Sequence, residues 1–407
     1  MTSPNISLAL RNVVRHRRRS FIAVLAICIG ITSLLLAGGF IEWNLRFGRE
    51  STIHSQLGHI RLFKNGYLDA GQADPAAYLF PLADKDVSRL MAVPGVKVVA
   101  PRLSFNGLVS HGEATVSFIG EGVAPLQEKE ISRSVTITDG VDMRADEAKG
   151  IVVGQGLAAN LGIVPGDVVV LMVNTVDGRV NAAEVRVVGL FATVTKAYDD
   201  SALRVPISLA HQLLRASGAH SYAVLLEETE QTPGVVKRLE EMFKGSGLAV
   251  VSWSDLADFY NKTAELFGKQ VDVVRLIIAM IIMLSIANSL MMSVMERTAE
   301  IGTMMALGQT RQGVLSLFLM EGAFLGVFGG VSGIFLGWLS GMGISAIGIP
   351  MPAPPGMAFG YTAEISVTWW MVLQSFVMAV LTSLVASFYP AWKASRMQIV
   401  DALRHSR

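Results

Sequence analysis

The sequence predicts a membrane protein with four transmembrane α-helices and a large α+β extracytoplasmic domain inserted between helices 1 and 2. Three observations carry that prediction. Apolar runs at 21–41, 276–294, 313–342 and 367–389 are each long enough to cross a hydrocarbon core of ~30 Å. Charged residues make up only 16% of the chain and its mean hydropathy is +0.47, whereas soluble domains carry about 25% charged residues. The stretch 42–270 between the first two runs is polar enough, and long enough, to fold around a core of its own.

The run 21–41 contains no charge and follows Arg11, Arg15, Arg17, Arg18 and Arg19. Arginines massed at one flank keep that flank in the cytoplasm, so residues 1–20 read as a cytoplasmic amphipathic helix. Its apolar stripe of Ile6, Leu10, Val13 and Val14 follows Ser3-Pro4, as suits a helix lying on the membrane. The run exceeds the apolar region of a signal peptide and lacks a small-residue cleavage site before a soluble start, so an uncleaved anchor is expected.

Transmembrane helix 2 is placed at 271–294, helix 3 at 313–342 and helix 4 at 367–389, with Trp369 and Trp370 as an interfacial belt. A short loop, 343–366, then lies on the extracytoplasmic side. Four spans return the chain to its starting side, and Lys393, Arg396, Arg404 and Arg407 mark the tail, 390–407, as cytoplasmic. Residues 42–270 hold 22 Lys+Arg against 27 Asp+Glu, a net charge of −5, while the remainder carries +6. That asymmetry fits an exported domain on a cytoplasm-anchored membrane part. A whole-chain charge of +1 is too balanced for a nucleic-acid binder.

The exported region begins and ends in helical stalks. Phe40, Trp43, Asn44 and Phe47 recur at helical spacing after the first span, as do Phe259, Thr263, Leu266, Phe267 and Val274 before the second, with Asp255 as N-cap. About 15 residues of helix would lift the domain roughly 22 Å from the bilayer. Between the stalks, strands are expected at His59–Phe63, Lys97–Ala100, Leu103–Ser110, Thr115–Gly120, Val168–Asn174 and Ala183–Phe191. Turns at His111-Gly112 and Val176-Asp177-Gly178 join two pairs of them. Helices are expected near 84–92, 155–161 and 232–244, giving an α+β region in two subdomains.

Catalytic signatures are missing from the sequence. It contains no G-x-x-x-x-G-K-[ST] loop, no H-E-x-x-H and no G-x-S-x-G. The single cysteine, Cys28, excludes a disulfide framework and a Cys-based zinc site. His54 and His59 read as a solvated pair, and Asp199-Asp200 as a loop acid pair. Gly154-x-Gly156-x-x-Ala159 matches a dinucleotide fingerprint after a strand. Its helix is cut short by Pro165-Gly166, and Asp177, at the right distance for a ribose, falls in a hairpin turn. A tight structural turn is the better reading, so no cofactor or metal is expected on this chain.

The informative segment is the cytoplasmic link 295–312. Glu296, Arg297 and Glu300 come first; Ile301, Met304 and Met305 then follow at i, i+3 and i+4, giving a short helix with one apolar face. Gly308 supplies a stop and Thr310 an N-cap for the next span. Such a face can dock in a partner's groove; a passive surface turn is the alternative. Glu321 lies inside span 3, where a carboxylate costs roughly 2.5–3.5 kcal/mol on insertion scales. A relay and a structural hydrogen bond to a neighbouring helix both remain open for it. Gly322, Gly326, Gly329, Gly330 and Gly333 allow close helix packing.

Residues 288–333, NSLMMSVMERTAEIGTMMALGQTRQGVLSLFLMEGAFLGVFGGVSG, resemble the MacB/FtsX-like permeases of ABC transporters. ALRNVVRHRRRSFIAVLAICIG (9–30) and YPAWKASRMQIVDALR (389–404) are similar to that family's two ends, so the resemblance covers the whole chain. GIVVGQGLAANLGIVPGD and YDDSALRVPISLAHQLL look nearest to the LolC/LolE lipoprotein-releasing branch.

The resemblance implies a multi-pass protein of the bacterial inner membrane with a periplasmic main domain. It also implies a second permease, as homodimer or heterodimer, and a cytoplasmic ABC ATPase dimer that holds ATP and Mg. Glu296, Arg297, Glu300, Ile301, Met304 and Met305 would form the ATPase-coupling helix, and the stalks would pass its movement outward. The cargo would be a lipid, lipoprotein or other amphiphile, sheltered at the stalk by Trp43, Phe47, Phe259, Leu266 and Phe267 and handed to a periplasmic acceptor. A signalling lever acting on an exported cell-wall hydrolase, and a drug or peptide efflux permease of the macrolide-export type, are the alternatives.

Overall fold

The computed structural model describes residues 4–15, 17–71, 74–193, 195–352 and 360–398. Ser3, Arg404 and Arg407 lie outside that set, as does the side chain of Ile6. In chain order the elements begin with α1 (Pro4–Arg15), α2 (Arg17–Thr52), a π-turn (Ile53–Leu57), β1 (Ile60–Lys64), α3 (Tyr67–Ala70), α4 (Asp84–Met91), β2 (Val96–His111) and β3 (Ala114–Val123). Then come α5 (Pro125–Ile131), β4 (Thr136–Gly140), β5 (Gly150–Gly154), α6 (Gln155–Leu161), β6 (Val168–Asn174), β7 (Val180–Ala192), α7 (Lys196–Asp199) and β8 (Ala202–Pro206). α8 (Ile207–Leu214), β9 (Ser221–Leu226), α9 (Thr232–Met242), β10 (Leu248–Ser252) and α10 (Trp253–Leu256) complete the inserted region. The chain closes with α11 (Asp258–Glu296), α12 (Thr298–Ala306), α13 (Arg311–Ile347), β11 (Ile349–Met351), β12 (Tyr361–Ala363) and α14 (Trp369–Ser395). Two compact units result: 1–45, 263–350 and 362–407 form one, and 46–262 with 351–361 form the other.

In the first unit, α2, α11, α13 and α14 are long and apolar enough to cross a membrane. Their packing follows from side-chain size. A Cβ on Gly326 would lie 2.7 Å from Ser383 Oγ of α14, and one on Gly333 would lie 2.8 Å from the Cys28 carbonyl of α2. The missing side chains let backbones approach, and van der Waals contact takes over from a hydrophobic drive that lipid cannot supply. Thr32 Oγ1 adds a bond to the Gly333 carbonyl at 3.0 Å. Ile27, Ile31 and Leu35 of α2 pack with Ile278, Ile282 and Ile286 of α11 in the same buried cluster. Thr310 caps α13 by accepting from the Gly313 amide at 3.1 Å, and Gly308 takes a positive φ of 96° just before it.

The second unit is built on one mixed sheet of ten strands, in the order β10-β1-β9-β2-β3-β8-β5-β7-β4, with β6 paired to β2 and β7. Strand pairs β3–β8 and β5–β7 are parallel, and the other pairs are antiparallel. The expectation of two subdomains needs correction. Lys97–Ala100 and Leu103–Ser110 are parts of one strand, β2, whose Pro101 sits opposite Tyr222 in the register with β9. The first half of β2 pairs with β9 and the second half with β6, so one strand joins two cores. One core gathers Leu103, Phe118, Val153, Leu157, Val205 and Leu209; the other gathers Ile60, Leu62, Leu90, Val224, Val235 and Leu239. Along β9, Ala223 and Leu225 point into a third cluster with Ile53 and Trp253, because successive strand side chains face opposite ways.

Asp255 also plays a different part from the one expected. Ser252 is the N-cap of α10, and Asp255 completes its capping box. The long helix α11 starts afresh at Asp258.

Within the second unit, which begins at Arg46, the last residues of α2 are tied to the sheet by polar groups. Thr229 Oγ1 donates to the Glu50 carboxylate at 3.0 Å, and Arg49 reaches Glu230 at 2.9 Å. His59, expected to be solvated, is instead 1% exposed. The Leu226 amide donates to His59 Nδ1 at 3.1 Å, which leaves Nε2 to donate to Thr229 Oγ1 at 3.0 Å. Burial, with His54 and Arg49 nearby, pushes the imidazole down to about 4. The unfolded chain therefore binds more protons between about pH 6.5 and 4, and stability falls across that window as pH drops. The shift is worth about 3 kcal/mol, fully present above pH 6.5 and lost below 4. Thermal unfolding of the full chain in detergent should lose several degrees between pH 7 and 4.5, and His59→Asn should flatten that slope. An unchanged slope in the variant would refute the assignment.

Candidate functional site

The membrane unit places its polar residues where α1, α11, α12 and α13 meet. α12 is short, and its start at Arg297 breaks the line of α11. Arg297, 4% exposed, donates through Nη1 to Glu321 Oε1 at 3.0 Å. Asn12 Nδ2 of α1 donates to the same oxygen at 2.6 Å. The guanidinium also lies over the Phe318 ring, 5.7 Å from its centroid, and its Nε reaches Glu300 Oε2 at 3.1 Å. Arg19 pairs with Glu296, and Arg15 with Glu300 at 3.5 Å, at more exposed positions.

This arrangement explains how a carboxylate is tolerated in span 3. Glu321 is 4% exposed and faces a cation from α11's end and an amide from α1, so the desolvation penalty is offset by two directed bonds. Arg297 and Glu321 lie in one buried pair that ties α12 to α13.

The apolar face of α12 points elsewhere than expected. Ile301 is fully buried against Val294, Val314, Phe318, Ala391 and Ala394 of the same unit, with Met304 and Met305 half-buried beside it. The groove that receives this face is built by the protein's own α11, α13 and α14. What faces outward is Glu300, Thr303, Ala306 and above all Leu307, which is 84% exposed at the tip. Leu307 and Asn12 escaped the sequence reading, and Arg15 and Arg19, read there as topology markers, were not expected to pair with Glu300 and Glu296. Asn12 carries a faint signal, since it shares with Ala9 a helix face at the edge of the apolar stripe, beside the half-buried Val13. That inner face is buried, whereas Leu10 and Val14 are exposed at 40% and 54%.

The stalk residues are spread out in exposure. Phe259 is 82% exposed and Leu266 62%, whereas Trp43, Phe47 and Phe267 are half-buried. Phe47 stacks on Tyr361 at 4.7 Å. The glycine pair at 154 and 156 serves a chain turn: a Cβ on either would strike Asp199 or Asp200 of the protein itself. Asp199 accepts from the Thr193 amide and hydroxyl. The space a pyrophosphate would need is filled by this turn. Among the described residues, no group of three or more His, Cys, Asp or Glu is placed to hold a metal ion.

The buried pair makes a quantitative prediction. Glu321→Ala strands the Arg297 charge and should cost about 3–5 kcal/mol, while Arg297→Met with Glu321→Leu removes both charges and recovers most of it. Unfolding in detergent measures the cycle. Equal losses in the single and double variants would mean that packing, rather than charge pairing, sets the cost.

Comparison with known proteins places this geometry in a family. Residues 20–242 match the MacB-like periplasmic core domain, and residues 273–399 match the FtsX-like permease C-terminal domain. An ABC transporter permease of Methanocaldococcus jannaschii is 24% identical, over 98% of this chain and 97% of its own. The lipoprotein-releasing system transmembrane protein LolC of Neisseria meningitidis is 23% identical, over 98% of both chains. The macrolide export ATP-binding/permease protein MacB of Bdellovibrio bacteriovorus is 23% identical over 97% of this chain, which spans 60% of that longer protein. With four apolar helices and a large α+β domain between the first two, this chain belongs to the MacB/FtsX-like family of ABC transporter permeases.

Proposed function

We propose that this permease couples ATP hydrolysis by a separate cytoplasmic ATPase dimer to movement of its extracytoplasmic domain, and thereby moves a lipoprotein or similar amphiphile out of the membrane. In this reading ATP and Mg belong to the partner ATPase, as the likeness to ABC transporter permeases implies. The observation that carries the reading is the mounting of α12. Arg297–Glu321 and the buried Ile301 fix it to the membrane helices, while Glu300, Thr303 and Leu307 face outward. A contact element anchored this way passes displacement on to the helices behind it, because packed interfaces shift between discrete arrangements rather than deform.

Leu307→Asp and Thr303→Arg should each reduce permease-stimulated ATP turnover at least tenfold in reconstituted complexes, without loss of membrane insertion. Ile301→Arg is the wrong probe, since it would disrupt the protein's own packing. Normal turnover in both outward-facing variants would defeat the coupling assignment.

The cargo proposal rests on the likeness to the lipoprotein-releasing relative and on apolar stalk positions such as Leu266. Removing an acyl chain from lipid forfeits about 0.8 kcal/mol per CH₂, so extraction requires both an energy source and compensating apolar surface. A second permease beside this one would complete that shelter, and an extracytoplasmic acceptor would take the cargo on. Photo-crosslinkers at Phe47 and Phe267 should capture lipoprotein, and capture should change when ATP hydrolysis is blocked. Capture of a macrolide or peptide would favour the efflux reading, and crosslinks to protein alone in every nucleotide state would remove cargo from the stalk.

A further inference from the structure

The second unit contains a buried ionic cluster that the coupling reading leaves unused. Arg102 of β2 is fully buried and donates to Glu121 Oε2 at 2.8 Å and to Glu128 Oε1 at 2.7 Å. Arg204 of β8, 3% exposed, stands 3.7 Å from Glu121 and 3.4 Å from Glu128. Tyr198 donates to Glu121 Oε2 at 3.0 Å. Taking four charges out of water carries a large penalty, and apolar residues of similar volume often serve stability as well or better. The geometry of Arg204 suggests what else the cluster does.

Arg204 turns away from the sheet toward the end of α2. Its Nη2 donates to the Ser55 carbonyl at 2.7 Å and its Nη1 to Ser132 Oγ at 2.9 Å. Ser132 in turn donates to Glu128, and the Ser134 amide donates to the His54 carbonyl at 3.0 Å. Ser55 and His54 belong to the π-turn Ile53–Leu57, in which α2 ends. The last carbonyls of a helix have no partner within it. Here two carbonyls at the end of α2 are taken by groups from the sheet side, one of them a guanidinium whose planar fork fixes direction as well as distance.

We propose that Arg204 is the positioning residue of a rigid joint, which fixes the end of α2 to an interior strand of the ten-stranded sheet. A shift or turn of α2 is then handed to the whole sheet instead of being absorbed in residues 53–57. Arg102, Glu121 and Glu128 hold the Arg204 fork in place, and the sheet spreads the load through β2, β3 and β8. Glu121 stays ionised in ordinary surroundings. Burial alone would raise the Glu121 carboxyl, but Arg102, Arg204 and Arg61 hold it at about 2.

The joint rests on the lever reading for its purpose but can be tested apart from it. In a Cys28→Ala background, spin labels at Arg46→Cys on α2 and Glu113→Cys at the β2–β3 turn report how firmly the two move together. The parent chain, reconstituted with its ATPase in nanodiscs, should give one narrow distance distribution with and without ATP. Arg204→Lys keeps the charge but cannot make both outward bonds, and should broaden that distribution. It should also speed hydrogen exchange at 53–57 at least tenfold while β3 and β8 stay protected, and lower transport at unchanged ATP turnover. Ser132→Ala, a milder change, should shift the same readouts less. A distribution as narrow as the parent's in both variants overturns the proposal. So does exchange that rises equally through β3, β8 and 53–57, since that marks a general stabiliser. If the distance between Arg46→Cys labels on the two permeases of the assembly does not change with ATP but Arg204→Lys still loosens the joint, the lever reading fails and the joint stands.

Discussion

The close approach of α13 to α2 and α14 is the constraint on which the membrane unit depends. Gly322 and Gly326 turn one side of the helix to Ser387 and Ser383, while Gly329 and Gly333 turn another to Ile27 and Ile31. Lipid offers apolar chains as good a home as protein does, so these helices are held by contact and not by exclusion from water. A side chain at any of these positions would push the helices apart by more than the tolerance of a hydrogen bond. Glu321 sits one residue from Gly322, so its bonds to Asn12 and Arg297 depend on the same spacing.

That pair in turn decides how α12 is presented. With Arg297 drawn inward and Ile301 buried, the short helix has one possible face toward the cytoplasm, the one carrying Glu300 and Leu307. A buried ion pair adds little net stability but penalises other arrangements heavily, because any of them would strand a charge. The same logic recurs in the other unit, where Arg102 and Arg204 hold two glutamates beneath the end of α2. Each buried cluster stands where a long helix gives way to another element. The proposed coupling would need stiffness at those points, since a soft join absorbs motion instead of passing it on.

Within the exported domain, hairpins with turn residues at their tips were legible: β2–β3 around Gly112 and β6–β7 around Gly178. Their strands alternate or run out into Gly and Asp, and turn chemistry is local. β8 and β9 were not legible. Covered on both faces, ALRVP and SYAVLL are buried along their whole length and show no alternation, so periodicity has nothing to report. The continuity of β2 was hidden for another reason. Pro101 argues for a break, yet the strand tolerates it at a position opposite Tyr222.

The sequence by itself determined the number of spans, their orientation and the insertion of an α+β domain between the first two. Apolar run length, arginine placement and turn residues are properties of neighbours along the chain, and the bilayer reads them without reference to anything distant. Only the tertiary structure decided which charges are buried and which way the apolar face of α12 points. Asn12 meets Glu321 across 309 positions, and Arg204 meets Ser55 across 149. No local pattern distinguishes these arginines from the solvated ones, because whether a charge can leave water depends on the partner waiting for it.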